Sequence, residues 1–116
     1  MKLLMHILKE NKTLRIDNAT LDITQILEKL REEYQEVIEA TKMYDSDRSL
    51  RNLKEIVRET YDLIQICILI LWRCSRKAGD FDEPKLLEEL NIEHKDKLIS
   101  ERHWIPETGI EIDIKE

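Results

Sequence analysis

The sequence predicts an almost all-helical protein, an antiparallel bundle of about three main helices completed by oligomerisation. Glycine and proline, which most often interrupt helices, number only two each among 116 residues. Charged residues make up 38 % of the chain and hydrophobic residues 41 %, and the hydrophobic ones recur at three- and four-residue steps. A chain of this length is the size of one domain, so we expect a single domain over residues 1–116 with its core helices over about 21–101.

The first helix is predicted over residues 21–44, where apolar side chains form the stripe of an amphipathic helix. These side chains are Ile23, Ile26, Leu27, Leu30, Tyr34, Val37, Ile38 and Met43. Thr20 or Asp22 is placed to cap the start of this helix. Before it, residues 1–8 fit either a short helix or a strand, and residues 9–20 are expected to be irregular.

The second helix is predicted over residues 48–77, capped by Ser46 or Asp47 and ending near Gly79. Its second half, residues 63–72, is apolar on all sides and must therefore be surrounded by protein. So short a chain supplies few helices for that purpose, which favours a homodimer or homotetramer with this half at its centre. An ordinary central core helix of a monomer is the alternative.

The third helix is predicted from FDEPKL, with Pro84 in its first turn, to about residue 101. The chain then ends in ETGIEIDIKE, where Ile110, Ile112 and Ile114 alternate with charged residues. This alternation predicts a short strand, or a tail that docks on a partner.

The charge balance and the cysteines exclude several classes of partner. The chain has 25 acidic and 19 basic residues and no basic run, so we expect no nucleic-acid binding. Its longest apolar run, residues 63–72, is about half a membrane span, so we expect no membrane insertion. Cys67 and Cys74 lie roughly 10 Å apart along one helix, too far for a disulfide. Buried, reduced thiols in a cytoplasmic protein are the simplest interpretation.

Two short stretches concentrate carboxylates. EEYQEVIEA, residues 32–40, places Glu33 and Glu36 on one helix face, and ETYD places Glu59 and Asp62 on one face of the next helix. Like charges at this spacing repel by a few tenths of a kcal/mol in an exposed helix, and by more where two such faces meet. A divalent cation such as magnesium would supply the missing counter-charge. The alternative is a solvated acidic surface.

The two acidic motifs and their surroundings resemble a known family. Glu33-Tyr-Gln-Glu36, followed after 22 residues by Glu59-Thr-Tyr-Asp62, is similar to the ExxE…ExxD signature of the MazG-like, all-α nucleotide pyrophosphohydrolases. KLREEYQEVIEA and LKEIVRETYDLIQICILIL also resemble that family's pair of helices, including the apolar run after ExxD. The resemblance covers about residues 22–75.

The resemblance implies a hydrolase that splits a nucleoside triphosphate between its α and β phosphates, releasing a monophosphate and pyrophosphate. Glu33, Glu36, Glu59 and Asp62 would hold Mg²⁺, or alternatively Mn²⁺. Glu33 and Glu36 are the catalytic candidates, although the sequence does not decide which carboxylate accepts the proton of the attacking water. Two alternatives are the phosphoribosyl-ATP pyrophosphohydrolase of the same superfamily and a non-catalytic acidic helical module that binds another protein.

Two further sets of residues are candidates for contacts with the nucleotide. The family often has a Lys and Arg pair near the end of its last helix, which KLISER resembles, and other basic residues lie near the acidic motifs. The phosphate-binding candidates are Lys54, Arg58, Lys97 and Arg102. The candidates for stacking on the base are Tyr34 and Tyr61. Solvated basic residues and ordinary core aromatics are the alternatives for these two sets. The sequence does not indicate the base or the sugar.

Overall fold

A computed structural model describes residues 3–112 of the chain, and these are mostly helical as predicted. Two two-residue strands, β1 (Glu10–Asn11) and β2 (Ile16–Asp17), precede three α-helices. The helices are α1 (Ile23–Ser46), α2 (Leu50–Ala78) and α3 (Leu86–Asp96), with a 3-10 turn (Gly79–Phe81) before α3 and a π-helical turn (Lys97–Glu101) after it. None of these helices is long and apolar enough to cross a membrane.

The chain divides into two compact units. The first unit is Ile7–Ile70, which holds both strands, α1 and the first two-thirds of α2. The second unit is formed by residues 71–112 together with residues 3–6. All four predicted metal-binding carboxylates lie in the first unit.

A small hairpin precedes α1, where the sequence predicted irregular structure. β1 and β2 are antiparallel, with Glu10 opposite Asp17 and Asn11 opposite Ile16. The Asn11 side chain accepts a hydrogen bond from the Leu14 backbone at 3.0 Å, and Arg15 adopts a left-handed backbone with φ 56°. Strands of two residues are too short to produce a detectable alternation of polar and apolar residues, so this hairpin escaped sequence prediction.

Helix α1 begins with a capping box at Asp22, one of the two predicted caps. The Asp22 carboxylate accepts a hydrogen bond from the Thr24 backbone N–H at 3.4 Å. In return, the side chain of Gln25 accepts one from the Asp22 backbone N–H at 3.3 Å. Two N–H groups that a free helix end leaves unpaired are thereby satisfied, which fixes where α1 starts.

The residue that caps α2, in the turn between α1 and α2, differs from the prediction. Ser49, rather than Ser46 or Asp47, caps α2, since its hydroxyl accepts a hydrogen bond from the Asn52 backbone at 3.2 Å. Ser46 remains in the last turn of α1, where its hydroxyl donates to the carbonyl of Met43 at 3.1 Å. Helix α1 therefore ends two residues later than predicted, and α2 begins two residues later.

The buried side chain of Asn52 stabilises this turn through hydrogen bonds. Its side chain is only 9 % exposed, and its amide donates to the carbonyls of Asp47 at 2.8 Å and Met43 at 3.4 Å. Each of these carbonyls also accepts a backbone N–H, that of Asp47 for Met43 and that of Ser49 for Asp47, so the Asn52 amide is a further donor to both. No pattern in the sequence predicts this role for Asn52.

We expect Asn52→Ala to lower the free energy of unfolding by about 1–3 kcal/mol, because it removes the two hydrogen bonds that the buried amide donates. Asn52→Asp should be worse, since it places a negative charge against the same carbonyls. Urea denaturation followed by circular dichroism measures both effects. Arg51→Ala, at an exposed neighbouring position, is the matched control and should change stability little. Equal stability of all three variants would contradict the capping role of Asn52.

Helices α1 and α2 form an antiparallel hairpin in the first unit. Asn52 near the start of α2 bonds to Met43 near the end of α1, whereas Asp62, further along α2, interacts with Glu33, earlier in α1. Ile26 and Ala40 are the buried residues of α1, at 4 % and 7 % exposure. No described side chain is less than 2 % exposed, so the core of the single chain is thin.

The apolar part of α2 is only partly covered in the single chain. Ile68 and Leu69 are buried, as the sequence predicted for residues 63–72, but Leu71 is 53 % exposed. Cys67 and Cys74 are both free thiols, but they are exposed rather than buried. The expectation of buried cysteines is therefore wrong for the single chain.

In the second unit, α3 begins at Leu86 and not in the segment that contains Pro84, because residues 84–85 form a turn. The π-helical turn continues α3 to Glu101, as predicted. The described part of the tail, residues 102–112, contains an isolated β-bridge at Glu111 and no longer strand. Ile114, the last member of the predicted alternation, lies outside the described residues.

Candidate functional site

The carboxylates of the two motifs face each other across the α1–α2 hairpin. Glu33 and Glu36 are one turn apart on α1, and Glu59 and Asp62 are one turn apart on α2. Because the helices run antiparallel, the first residue of one motif meets the last residue of the other. The sequence predicted this meeting from helical spacing, and the structure brings the four residues together.

Three of the four carboxylates are arranged as a metal site would require. Glu33, Glu59 and Asp62 each offer one oxygen, and these oxygens all lie within 4.8 Å of one another. Oxygens on opposite sides of a bound magnesium ion are about 4.2 Å apart, so a small side-chain rotation would suffice to enclose one. Glu33 and Glu59 are half-buried, and Asp62 is exposed.

Glu36 joins the other three as a bridge between the helices. Its carboxyl group lies within hydrogen-bonding reach of the carboxyl groups of Glu33 and Glu59. It therefore forms part of the cluster even though it is an exposed residue. By contrast, Glu39, which is on the same stretch of sequence, accepts a hydrogen bond from Gln35 at 3.4 Å.

Two oxygens in the cluster have no partner. Glu33 Oε2 and Glu59 Oε2 are shielded from solvent, and neither receives a hydrogen bond from any described residue. A shielded acceptor without a donor is unfavourable, and more so when it carries charge. A divalent cation is the group that would satisfy both oxygens at once, because carboxylate oxygens are the ligands that magnesium and manganese prefer. The donor set present thus fits such an ion.

Crowding also changes the acidity of the cluster. Burial, followed by repulsion from Glu36 and a hydrogen bond with it, raises the pKa of Glu33 from 4.5 to about 7. The hydrogen bond with Glu36, followed by burial, raises the pKa of Glu59 as well. Without a cation, the cluster therefore holds a proton near neutral pH, since that is how it reduces repulsion among its own charges.

The nearby basic residues do not neutralise the cluster. The Arg58 guanidinium forms an ion pair with Glu55, one turn earlier on α2. Lys54 is exposed on the same helix. The other two predicted phosphate-binding residues lie in the second unit, where Lys97 starts the π-helical turn and Arg102 follows it. For all four, phosphate binding stays a prediction.

The two predicted base-stacking tyrosines are exposed and directly adjoin cluster residues in the sequence. Tyr34 follows Glu33 and Tyr61 precedes Asp62, so each is rotated by about 100° from a carboxylate of the cluster. Their exposures are 58 % and 41 %. Base stacking by these residues stays a prediction.

Comparison with known proteins adds no relative. The chain matches no family model, no curated protein and no solved structure. The likeness to MazG-like pyrophosphohydrolases therefore rests on the sequence alone: the two motifs, their spacing and the apolar run that follows ExxD.

Proposed function

We propose that this chain is a magnesium-dependent nucleoside triphosphate pyrophosphohydrolase, which cleaves between the α and β phosphates. The observation that carries this proposal is the pair of shielded, partnerless oxygens of Glu33 and Glu59 beside the carboxylate of Asp62. They lie on two helices with the ExxE and ExxD motifs of such enzymes. Glu33, Glu36, Glu59 and Asp62 would hold Mg²⁺ or Mn²⁺.

The cation and the carboxylates of the chain would have different roles in the reaction. A bound divalent cation would neutralise the triphosphate and lower the pKa of an attacking water. The chain's own carboxylates hold the ion and accept the proton that this water loses. A carboxyl with a pKa of about 7, as at Glu33, exchanges protons readily near neutral pH, which favours Glu33 or its hydrogen-bonded neighbour Glu36 as acceptor.

The charge of the chain requires a cation to accompany an anionic substrate. A chain with a formal net charge of −6 repels a free triphosphate, so the anion must arrive with its cation or meet one already bound. Lys54 and Arg58 on α2, with Lys97 and Arg102, are proposed to contact the phosphates. We propose a cytoplasmic location, which suits two free, exposed thiols.

A panel of nucleoside and deoxynucleoside triphosphates tests the proposal. With magnesium, we expect equal amounts of monophosphate and pyrophosphate from at least one of them, and no inorganic phosphate as the first product. Addition of EDTA should stop the reaction, and excess magnesium should restore it. Release of orthophosphate, or activity that survives EDTA, would contradict the proposal.

Two alternatives give different results in the same panel. Phosphoribosyl-ATP should be included, because hydrolysis of this compound alone would identify the related pyrophosphohydrolase instead. A non-catalytic protein-binding module would hydrolyse none of the compounds, and magnesium with a nonhydrolysable triphosphate would leave its melting temperature unchanged. A bound ligand must raise that temperature.

A further inference from the structure

The contacts between α1 and α2 follow one antiparallel register. Glu36 and Glu59 meet through a hydrogen bond between their side chains. The Asn52 amide donates to the carbonyl of Met43 at 3.4 Å. Met43 follows Glu36 by seven residues, and Asn52 precedes Glu59 by the same number. The Asn52 contact and the carboxylate contact therefore lie on one seam of the hairpin, about two helical turns apart.

Other forces in the hairpin fix this register only weakly. The carboxylates of the metal-free cluster repel each other, which opposes close approach of the two helices. Hydrophobic attraction is non-directional, and no described side chain is less than 2 % exposed, so the apolar core is thin. A directional contact on the same seam supplies what these forces lack.

Asn52 provides such a contact. It is the only buried polar or charged residue among residues 3–112, at 9 % exposure. Its amide donates to Met43, in the last turn of α1, and to Asp47, which follows that helix, at 3.4 and 2.8 Å respectively. Both acceptors are main-chain carbonyls, so these bonds hold the backbone of α1 and not a mobile side chain. The helices cannot slide past each other without breaking them, and a buried donor that loses its partner is costly.

A metal site is sensitive to this register. A slide of one residue along a helix moves a side chain by about 1.5 Å. Metal ligands, by contrast, must be held within about 0.5 Å of their working positions. The clustered oxygens of Glu33, Glu59 and Asp62 lie within 4.8 Å of one another, and they come from both helices. Even a partial slip of α2 against α1 would therefore separate them beyond the reach of one ion.

We propose that Asn52 is a positioning residue of the candidate metal site, because its bonds to the end of α1 keep the ligands of α2 in register with those of α1. Asn52 acts through the helix backbones and is not itself a ligand. The inference rests on the cation site of the proposed function, but not on hydrolysis of a nucleotide. Asn52 then contributes to ion affinity as well as to stability.

Titration of the metal-free full chain with Mn²⁺ alone tests this role, with the electron paramagnetic resonance signal of the free ion as the readout. We expect Asn52→Ala to raise the dissociation constant about 10-fold, at the lower end of the effect of residues that orient metal ligands. Asp22→Ala is the matched control, because it removes the cap at the other end of α1 and lowers stability without altering the seam. This control should bind Mn²⁺ as the native chain does. Circular dichroism at the temperature of the titration establishes that each variant is folded.

The outcomes distinguish this inference from the proposed function. A higher dissociation constant for Asn52→Ala but not for Asp22→Ala supports the positioning role. Native affinity of Asn52→Ala overturns it, and so does an equal loss in both variants, which would reflect lower stability in general. If Asn52→Ala weakens Mn²⁺ binding but the native chain hydrolyses no triphosphate, the proposed function fails and the positioning role stands. A native chain that does not bind Mn²⁺ overturns both.

A second variant decides the question if Asn52→Ala does not fold. Asn52→Ser keeps a polar side chain, but its hydroxyl carries a single proton and cannot donate to both carbonyls. This variant should also bind Mn²⁺ more weakly than the native chain. Native affinity in Asn52→Ser would overturn the proposal.

Discussion

Replacing Glu36 by Gln is expected to abolish magnesium-dependent release of pyrophosphate and to leave the helices intact. The change removes one negative charge from the cluster without a change in side-chain volume. The variant should therefore bind a divalent cation more weakly. We expect kcat/KM to fall by more than about 100-fold, because charge stabilisation in the transition state is lost. Pyrophosphate release with the best triphosphate of the panel measures this loss.

The thermal stability of the metal-free Glu36→Gln variant should rise, although its activity falls. In the metal-free protein, the new amide can donate hydrogen bonds to the carboxylates of Glu33 and Glu59, where the native Glu36 adds repulsion. Glu36→Gln is therefore expected to melt at a higher temperature than the native chain when EDTA is present. Glu28→Gln, at an exposed position two turns earlier on α1, is the matched control for both measurements. Full activity of Glu36→Gln would exclude the site as described.

The metal-free protein is expected to lose stability as the pH rises from about 5 to about 8. The pKa of Glu33 is about 7 in the folded chain and 4.5 when unfolded, so between these values the folded state holds the extra proton. Stability then falls with rising pH and is lost as the pH passes through the folded value. We expect a loss on the order of 1–2 kcal/mol after allowance for solvent screening. Thermal melts in EDTA across this range measure it.

Magnesium should reverse this loss. An ion at about a hundred times its dissociation constant adds about 2.7 kcal/mol, or roughly 10 °C in a chain of this size. The rise should be larger at pH 8 than at pH 5.5, because protons compete with the ion for Glu33. Sodium chloride at matched ionic strength separates metal binding from screening.

Glu33→Gln should flatten the pH dependence of stability in the metal-free protein. A pH slope equal to that of the native chain in this variant would contradict the assignment to Glu33.

The candidate site was largely predictable because it depends on helical periodicity. Once residues 32–40 and 59–62 are placed on helices, the three-residue steps put Glu33 with Glu36 and Glu59 with Asp62. What periodicity could not provide is the distance between the helices. That distance determines that two oxygens are left without partners and that the pKa of Glu33 rises to about 7.

The other differences between the sequence prediction and the structure arise where short-range contacts select one of several neighbouring residues for the same role. Several side chains could have capped α2, and only the path of the turn selects Ser49 over Ser46 and Asp47. Asn52 has no distinctive pattern in the sequence, because its role is to bond carbonyls that come within reach of its amide only through the path of the turn. The β1–β2 hairpin is similarly formed by local hydrogen bonds that hydrophobic patterning does not detect.

The sequence by itself determined the helices, the faces they present and the four carboxylates that repel each other, since these follow from spacing along one helix. Only the tertiary structure decided that the hairpin brings the four carboxylates together and leaves two of their oxygens without partners. The physical reason is that the orientation of one helix against another depends on turn closure and packing between residues far apart in sequence. The spacing of residues along a single helix does not determine those interactions.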